Sequence, residues 1–239
     1  MERERRIRQE LLEFDEKYDK DLTHFYYWQL TLPFDYAHPI LRDTTSETAK
    51  AIIDSLPDKP KHRYAKRILP SKRLKQYYTG DDYAGDVAVL CYRYETLNLV
   101  ARVSMQISAS DAIYEQRKRD GYTVECFASP FNFHLRHYFS AFPDTDCKFG
   151  SIGSFFDHGY HFLSIRAYKC AVDPPYQNEA IQKAIELILK LKHGTYDFIL
   201  PAWTDAEWVR LLPHPKVITT NIYNSSYNPC DSIIDKIEY

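Results

Sequence analysis

A largely parallel α/β sheet with a helical element on its N-terminal side is the fold this 239-residue sequence predicts. Three observations carry that expectation. From residue 122 onward, short apolar runs alternate with stretches of helical periodicity, which is how strand-helix-strand units read in a chain. One such run, Lys169 to Val172, leads into Asp173-Pro174-Pro175-Tyr176 and then a helical face of Ala180, Ile181, Ala184, Ile185, Ile188 and Leu191. Residues 2–25 and 44–56 instead space their apolar side chains by three and four among charges, the pattern of amphipathic helices. The expected division is a helical region over residues 1–85 and a sheet domain over residues 86–239.

The first helix is marked by Ile7, Leu11, Phe14, Tyr18, Leu22 and Phe25. A second starts at Thr44 or Thr45, where Thr44 and Glu47 fit a capping box, and Pro57 and Pro60 end it. Lys59 to Lys75 follows with Lys59, Lys61, Arg63, Lys66, Arg67, Lys72, Arg73 and Lys75 and no acid between them. Like charges packed this closely repel unless a polyanion is bound, and Tyr64, Tyr77 and Tyr78 add stacking faces. A charge run also reads as a solvated face. This one is single-signed in a chain of net charge −2, so Lys66, Arg67, Lys72 and Arg73 are expected to touch nucleic acid. Val87, Val89 and Cys91 alternate through a strand from Asp86 to Tyr94, and Leu99 to Ile107 reads as another. Ser110 to Arg119 reads as a helix stopped by Gly121.

Tyr122 to Ala128 is a short buried strand containing Glu125; Ser129-Pro130-Phe131-Asn132 then makes a tight loop into a helix from Phe133 to Phe142. That order is the ligand end of a Rossmann-like sheet, where small residues such as Ala128 and Ser129 allow close approach beyond the strand ends. With no G-x-G-x-x-G, a dinucleotide is disfavoured as ligand. For S-adenosylmethionine, Glu125 is placed to hold the cationic amino group, directly or through water. Pro143 to Gly153 is a turn-rich loop whose Asp144 and Asp146 either accept from ribose hydroxyls or cap turns. Phe162 to Ala167, Tyr196 to Leu200 and Lys216 to Thr220 read as further strands, and Gly194 stops the helix that follows Tyr176.

Asp173-Pro174-Pro175-Tyr176 fits one chemistry closely. The exocyclic nitrogen of adenine is a poor nucleophile while its lone pair is delocalised into the ring. Two acceptors, the Asp173 carboxylate and the Pro174 carbonyl, can each take one N–H and aim the lone pair at a methyl donor. Pro174 and Pro175 stiffen the backbone, and Tyr176 offers a face for an extruded base. As a bare tetrapeptide it is equally an ordinary strand-ending turn; its context gives it meaning.

Other classes are disfavoured. Cys91, Cys126, Cys147, Cys170 and Cys230 form no C-x-x-C pair, against a zinc site or disulfide framework. His134, His137, His158 and His161 lack any further support for a metal, and none is expected. No apolar run reaches the length of a membrane span, and no signal peptide is read at the N-terminus. A soluble, intracellular protein, nuclear or cytoplasmic, is expected.

Glu125-Cys126-Phe127-Ala128-Ser129-Pro130-Phe131-Asn132, then Ser140-Ala141-Phe142-Pro143-Asp144-Thr145-Asp146, then Phe149-Gly150-Ser151, closely resemble the phosphorylated-CTD-interacting factor family, the cap-specific mRNA adenosine N6-methyltransferases. Arg93-Tyr94-Glu95 and the strand ending Ile199-Leu200-Pro201-Ala202 agree as well, so the resemblance covers roughly residues 86–205. It implies a Rossmann-like methyltransferase domain docked on a helical one, S-adenosylmethionine as donor, and RNA as partner, at the cap-adjacent 2′-O-methyladenosine of mRNA. It also implies a donor site around Glu125, Phe127, Ala128, Ser129, Pro130 and Asn132, with Asp144 and Asp173 contributing. Three departures stand out. The family's N-P-P-F is D-P-P-Y here, a form found in other adenine N6-methyltransferases; Ile152 replaces an arginine in F-G-S-R-G; and Trp28, Trp203 and Trp208 lack the spacing of a tryptophan-pair domain. Methylation of other RNA or of DNA, and a catalytically silent nucleic-acid-binding subunit keeping the fold, are the alternatives.

Overall fold

The computed structural model describes residues 72–87, 89–90, 93–94, 108–219, 222 and 231–239. The expected helices before residue 60, the cations Lys66 and Arg67, and the expected strand Leu99 to Ile107 lie outside them. Besides a helical stretch at residues 83–87, 89–90 and 93–94, the α-helices among the described residues are α1 (Lys72–Tyr77), α2 (Asp111–Arg119), α3 (Pro143–Asp146), α4 (Phe155–Ser164) and α5 (Asn178–Leu191). The strands are β1 (Val124–Glu125), β2 (His137–Tyr138), β3 (Lys169–Val172), β4 (Thr195–Pro201), β5 (Lys216–Ile218) and β6 (Ser232–Glu238).

These strands form one sheet in the order β2-β1-β3-β4-β6-β5. β2, β1, β3 and β4 run parallel; β6 runs antiparallel between β4 and β5. Alternation along β3 sends Cys170 and Val172 into a core with α4 and α5, while Ala171 faces a smaller core with Tyr114 of α2. Helices therefore cover both faces, as a parallel sheet requires. The chain leaves β1 toward β2 on one side and returns to β3 on the other. In open α/β sheets ligands bind beyond the carboxyl ends of the strands at such a reversal, here the ends of β1 and β3.

β3 and α5 follow the sequence reading closely. The Gln177 side chain caps α5 by accepting from the Ala180 N–H at 2.8 Å, and the helix closes at Lys192 in the left-handed region (φ 53°). Gly194 (φ 94°) then turns the chain into β4; its surroundings are so tight that a Cβ would lie 2.9 Å from the Tyr168 carbonyl oxygen.

Four expectations are corrected. Residues 83–87, 89–90 and 93–94 are helical, where a strand from Asp86 to Tyr94 was expected. The Asp82 carboxylate accepts from the Gly85 N–H at 2.9 Å as an N-cap, and the buried Val87, Leu90 and Tyr94 lie at helical spacing. The expected helix from Phe133 to Phe142 is instead a turn leading into β2. The N–H groups of His134 and Leu135 donate to Glu125, and those of His137 and Phe139 pair with the chain of β1, so none is left for a helical ladder. No strand runs from Phe162 to Ala167: Phe162 to Ser164 form the last turn of α4, whose buried Phe155, Gly159 and Leu163 repeat every four residues. Finally, β6 was not anticipated; Ile233 and Ile237 are buried on the same face as the polar Asp235, which breaks the expected alternation of type.

Candidate active site

β3 delivers Asp173 to the carboxyl edge of the sheet, and the two prolines after it cannot extend the strand's hydrogen bonding. Pro174 is buried, and Pro175 and Tyr176 are half-buried. The Pro175 carbonyl accepts from the Gln177 N–H at 2.8 Å, so the turn is tied to the start of α5. Tyr176 meets Trp203, just past β4, edge to face with ring centroids 6.3 Å apart. Sequence reading weighed Trp203 only for its spacing to other tryptophans; its position one strand over from Tyr176 follows from the β3–β4 pairing.

Asp173 is held from below by α2. Arg117 donates from Nη1 to Oδ2 (2.9 Å) and from Nη2 to Oδ1 (3.1 Å), and the Tyr114 hydroxyl donates to Oδ2 (3.0 Å). Arg117 also donates from Nε to Asp197 of β4 at 2.8 Å. Burial first, then the charges of Asp173 and Glu125, push the Tyr114 hydroxyl well above its ordinary value, so it remains a donor. Its ring stacks on His134 at 4.1 Å, and burial followed by Arg73 lowers the His134 imidazolium, which keeps that ring neutral. Neither Tyr114 nor Arg117 was singled out from sequence; the available signal was their placement three apart on the buried face of a short helix.

Glu125 is buried, and its Oε1 accepts from the His134 and Leu135 N–H groups at 2.5 Å each. Burial raises its pKa to about 7 against the pull of those two donors. Because the folded protein holds this proton more tightly than the unfolded chain, the stabilisation is complete below the ordinary value of 4.5 and is lost as pH rises through about 7. The expected loss is on the order of 3 kcal/mol across that interval. Glu125→Gln keeps an acceptor for both N–H groups and cannot ionise, so it should flatten the curve. Urea unfolding of both proteins at pH values on either side checks this; parallel curves would assign the pH dependence to other groups.

The loop beyond β1 closes on itself. Asn132 Oδ1 accepts from the Ser129 N–H (2.8 Å) and hydroxyl (2.9 Å), and the Ser129 Oγ accepts from the Phe131 N–H (3.2 Å). Ala128 and Phe127 remain half-buried, with Phe127 packed on Phe155 and Phe156, while Ser129 and Pro130 are buried. Asp144 is paired with Arg93 through two bonds of 2.7 and 2.9 Å, a fork-on-carboxylate geometry that leaves the Asp144 side chain 34% exposed. Tyr94 donates to the fully buried Asp146 at 2.7 Å. Arg93-Tyr94 therefore anchors the segment Ser140 to Asp146 side chain by side chain. Gly150 and Gly153 adopt φ values of 93° and 110°, which explains two glycines in that stretch, and Ile152 packs against the core. Of the expected nucleic-acid contacts, Lys72 and Arg73 lie on α1, with the Arg73 guanidinium 4.1 Å from the Phe133 ring centroid. His134, His137 and His158 do not converge: they sit against Tyr114, Phe162 and Gly153 respectively. Among the described residues no three His, Cys, Asp or Glu gather as a metal site, and no helix is long and apolar enough to cross a membrane.

A family model described as phosphorylated CTD interacting factor 1 WW domain matches residues 67–234, which include every strand of the sheet but the end of β6. The chain belongs to the phosphorylated CTD interacting factor 1 family. Two relatives carry the name mRNA (2′-O-methyladenosine-N(6)-)-methyltransferase. The mouse protein is 37% identical over 146 residues, 55% of this chain and 20% of its own length. The human protein is 37% identical over 90 residues, 36% of this chain and 12% of its own. The chain thus spans at most about a fifth of the length of these relatives. In this member of the phosphorylated CTD interacting factor 1 family, Cys126 to Asn132 and Asp173 to Tyr176 leave the carboxyl ends of the adjacent strands β1 and β3, whereas Arg93-Tyr94 and Asp144 to Asp146 brace one another.

Proposed function

We propose that this chain is an S-adenosylmethionine-dependent adenine N6-methyltransferase acting on RNA, at the adenosine beside the cap of mRNA. The observation that carries the reading is the placement of Asp173-Pro174-Pro175-Tyr176 at the carboxyl end of β3, beside the loop from β1, where the strand order reverses. Four parallel strands followed in the sheet by an antiparallel one, inserted before the edge, are in keeping with a Rossmann-like methyltransferase. The names of the mouse and human relatives support the same activity.

The donor fits the loop that follows Glu125. Phe127 offers an apolar wall, Ala128 and Ser129 allow close approach, Pro130 and Asn132 keep the loop closed, and Asp173 borders it. S-adenosylmethionine would supply an electrophilic methyl group there. Asp173 and the Pro174 carbonyl each accept one N–H of the adenine amine, and Tyr176, with Trp203 at its edge, flanks the base. The positive charge formed at nitrogen is stabilised by the Asp173 carboxylate until a proton leaves to water, so a dedicated base is not needed.

In the proposed division, residues 1–85 carry the basic segment and 86–239 the methyltransferase domain. Arg73 lies over Phe133, whose neighbour His134 stacks on Tyr114, which in turn donates to Asp173. Arg73, at the described end of the basic segment, is thus linked through this chain of contacts to Asp173. Neutralising Lys66, Arg67, Lys72 and Arg73 together should raise the KM for RNA and reduce the salt slope of binding by about 0.7 for each phosphate that is no longer neutralised. Donor binding, measured by calorimetry, should not change; an unaltered salt slope would make the run a solvated face. The substrate assignment is tested with capped RNA, uncapped RNA and DNA oligonucleotides of one sequence, methylated in parallel. Capped RNA beginning with 2′-O-methyladenosine should react fastest; equal rates on all three would overturn the cap-adjacent assignment.

A further inference from the structure

We propose that Arg117 is a positioning residue for methyl transfer, fixing the Asp173 carboxylate so that Oδ1 is the oxygen presented to the amine. The inference rests on the reading above of Asp173 as an acceptor of the adenine amine. Its warrant is a count of acceptor sites. Oδ2 already accepts from Arg117 Nη1 and the Tyr114 hydroxyl, which fills its two lone-pair directions. Oδ1 accepts only from Arg117 Nη2 among these groups, at 3.1 Å. One lone-pair direction on Oδ1 therefore remains for an incoming N–H.

The anchor itself is rigid. The Arg117 side chain is 4% exposed and the Asp173 side chain 17%. Arg117 is fixed in turn by Asp197, through Nε to Oδ2 at 2.8 Å and Nη2 to the backbone carbonyl at 3.3 Å. β4 thus holds the guanidinium that orients the carboxylate at the end of β3. A planar fork gripping both oxygens sets the plane of the carboxylate, which a lysine's single ammonium cannot do. The arrangement also couples Arg117 to the charge at position 173. With asparagine there, the grip on two oxygens is already lost, because an amide presents one acceptor and one donor to the fork, and Arg117 keeps Asp197 as its partner.

The test is a double-mutant cycle on the whole chain, using methyl-labelled S-adenosylmethionine and an adenosine-containing RNA oligonucleotide: wild type, Arg117→Lys, Asp173→Asn and both together. Arg117→Lys should lower kcat by about tenfold or more, with KM for either substrate moving less than about threefold. In the Asp173→Asn background the same change should cost less than about threefold. A kcat within about twofold of wild type for Arg117→Lys, or an equal loss in both backgrounds, would overturn the inference while leaving the proposed activity standing. An inactive wild-type protein would overturn the activity and the inference with it. Thermal melts monitor folding. Should Arg117→Lys not fold, Arg117→Met with Asp197→Asn, which removes the carboxylate left facing an apolar side chain, takes its place in the same cycle with the same expected outcomes.

Discussion

Asp173→Ala is expected to lower the rate of methyl transfer by about a hundredfold or more, on the order of 3 kcal/mol of transition-state stabilisation. In the proposed mechanism the carboxylate accepts a hydrogen bond from the amine that strengthens as positive charge grows on nitrogen, so its contribution is larger in the transition state than in the bound substrate. The loss should appear in kcat. The fold should survive, because removal of Asp173 leaves Arg117 paired with Asp197 one to one. Asp173→Asn should fall between wild type and Asp173→Ala: an amide oxygen still accepts an N–H, but the amide NH2 then faces donors of Arg117 or Tyr114 where the second oxygen stood. Single-turnover measurement on the three purified proteins checks both; near-normal turnover by Asp173→Ala would remove this residue from the mechanism.

Tyr176→Ala should weaken productive binding of the target base by about 1–3 kcal/mol, the usual worth of stacking a base on an aromatic ring. Tyr176→Phe keeps the ring and its edge contact with Trp203, and should behave nearly as wild type. The comparison separates ring from hydroxyl. If phenylalanine inactivates the protein, the phenol has a chemical part that stacking does not describe. Oligonucleotide binding with and without a purine at the target position would show the difference directly, because only the ring-bearing proteins should distinguish the two.

Local signals made the reacting edge legible from sequence. The run before Asp173, the paired prolines and the apolar face of α5 each depend on neighbours a few positions away, and β3 and α5 stand where those signals put them. What the sequence did not reveal depends on distant partners. Arg117 meets Asp173 and Asp197 across 56 and 80 positions, so nothing near it in the chain distinguishes it from Arg119, whose guanidinium bonds to Gln116 on the same helix. The aromatic stretch from Phe133 to Phe142 has a helix-like spread of apolar residues, but Glu125 claims two of its N–H groups and β1 claims others. The same pair of bonds makes Glu125 a brace for that turn, a role its place in the sequence did not signal. Residues 83–94 fit a strand by the alternation of Val87 and Val89 and a helix by Val87, Leu90 and Tyr94; the Asp82 cap decides between them.

The central claim is that the acceptor is the exocyclic nitrogen of adenine, held by Asp173 and Pro174. Nucleoside mass spectrometry of a capped RNA after reaction with methyl-labelled S-adenosylmethionine tests it most directly. The account predicts that the label appears in N6-methylated adenosine, and that an otherwise identical RNA with purine in place of the target adenine takes up none. Label on the ribose, on a ring nitrogen or on the cap guanine, or equal labelling of the purine-containing RNA, would contradict it.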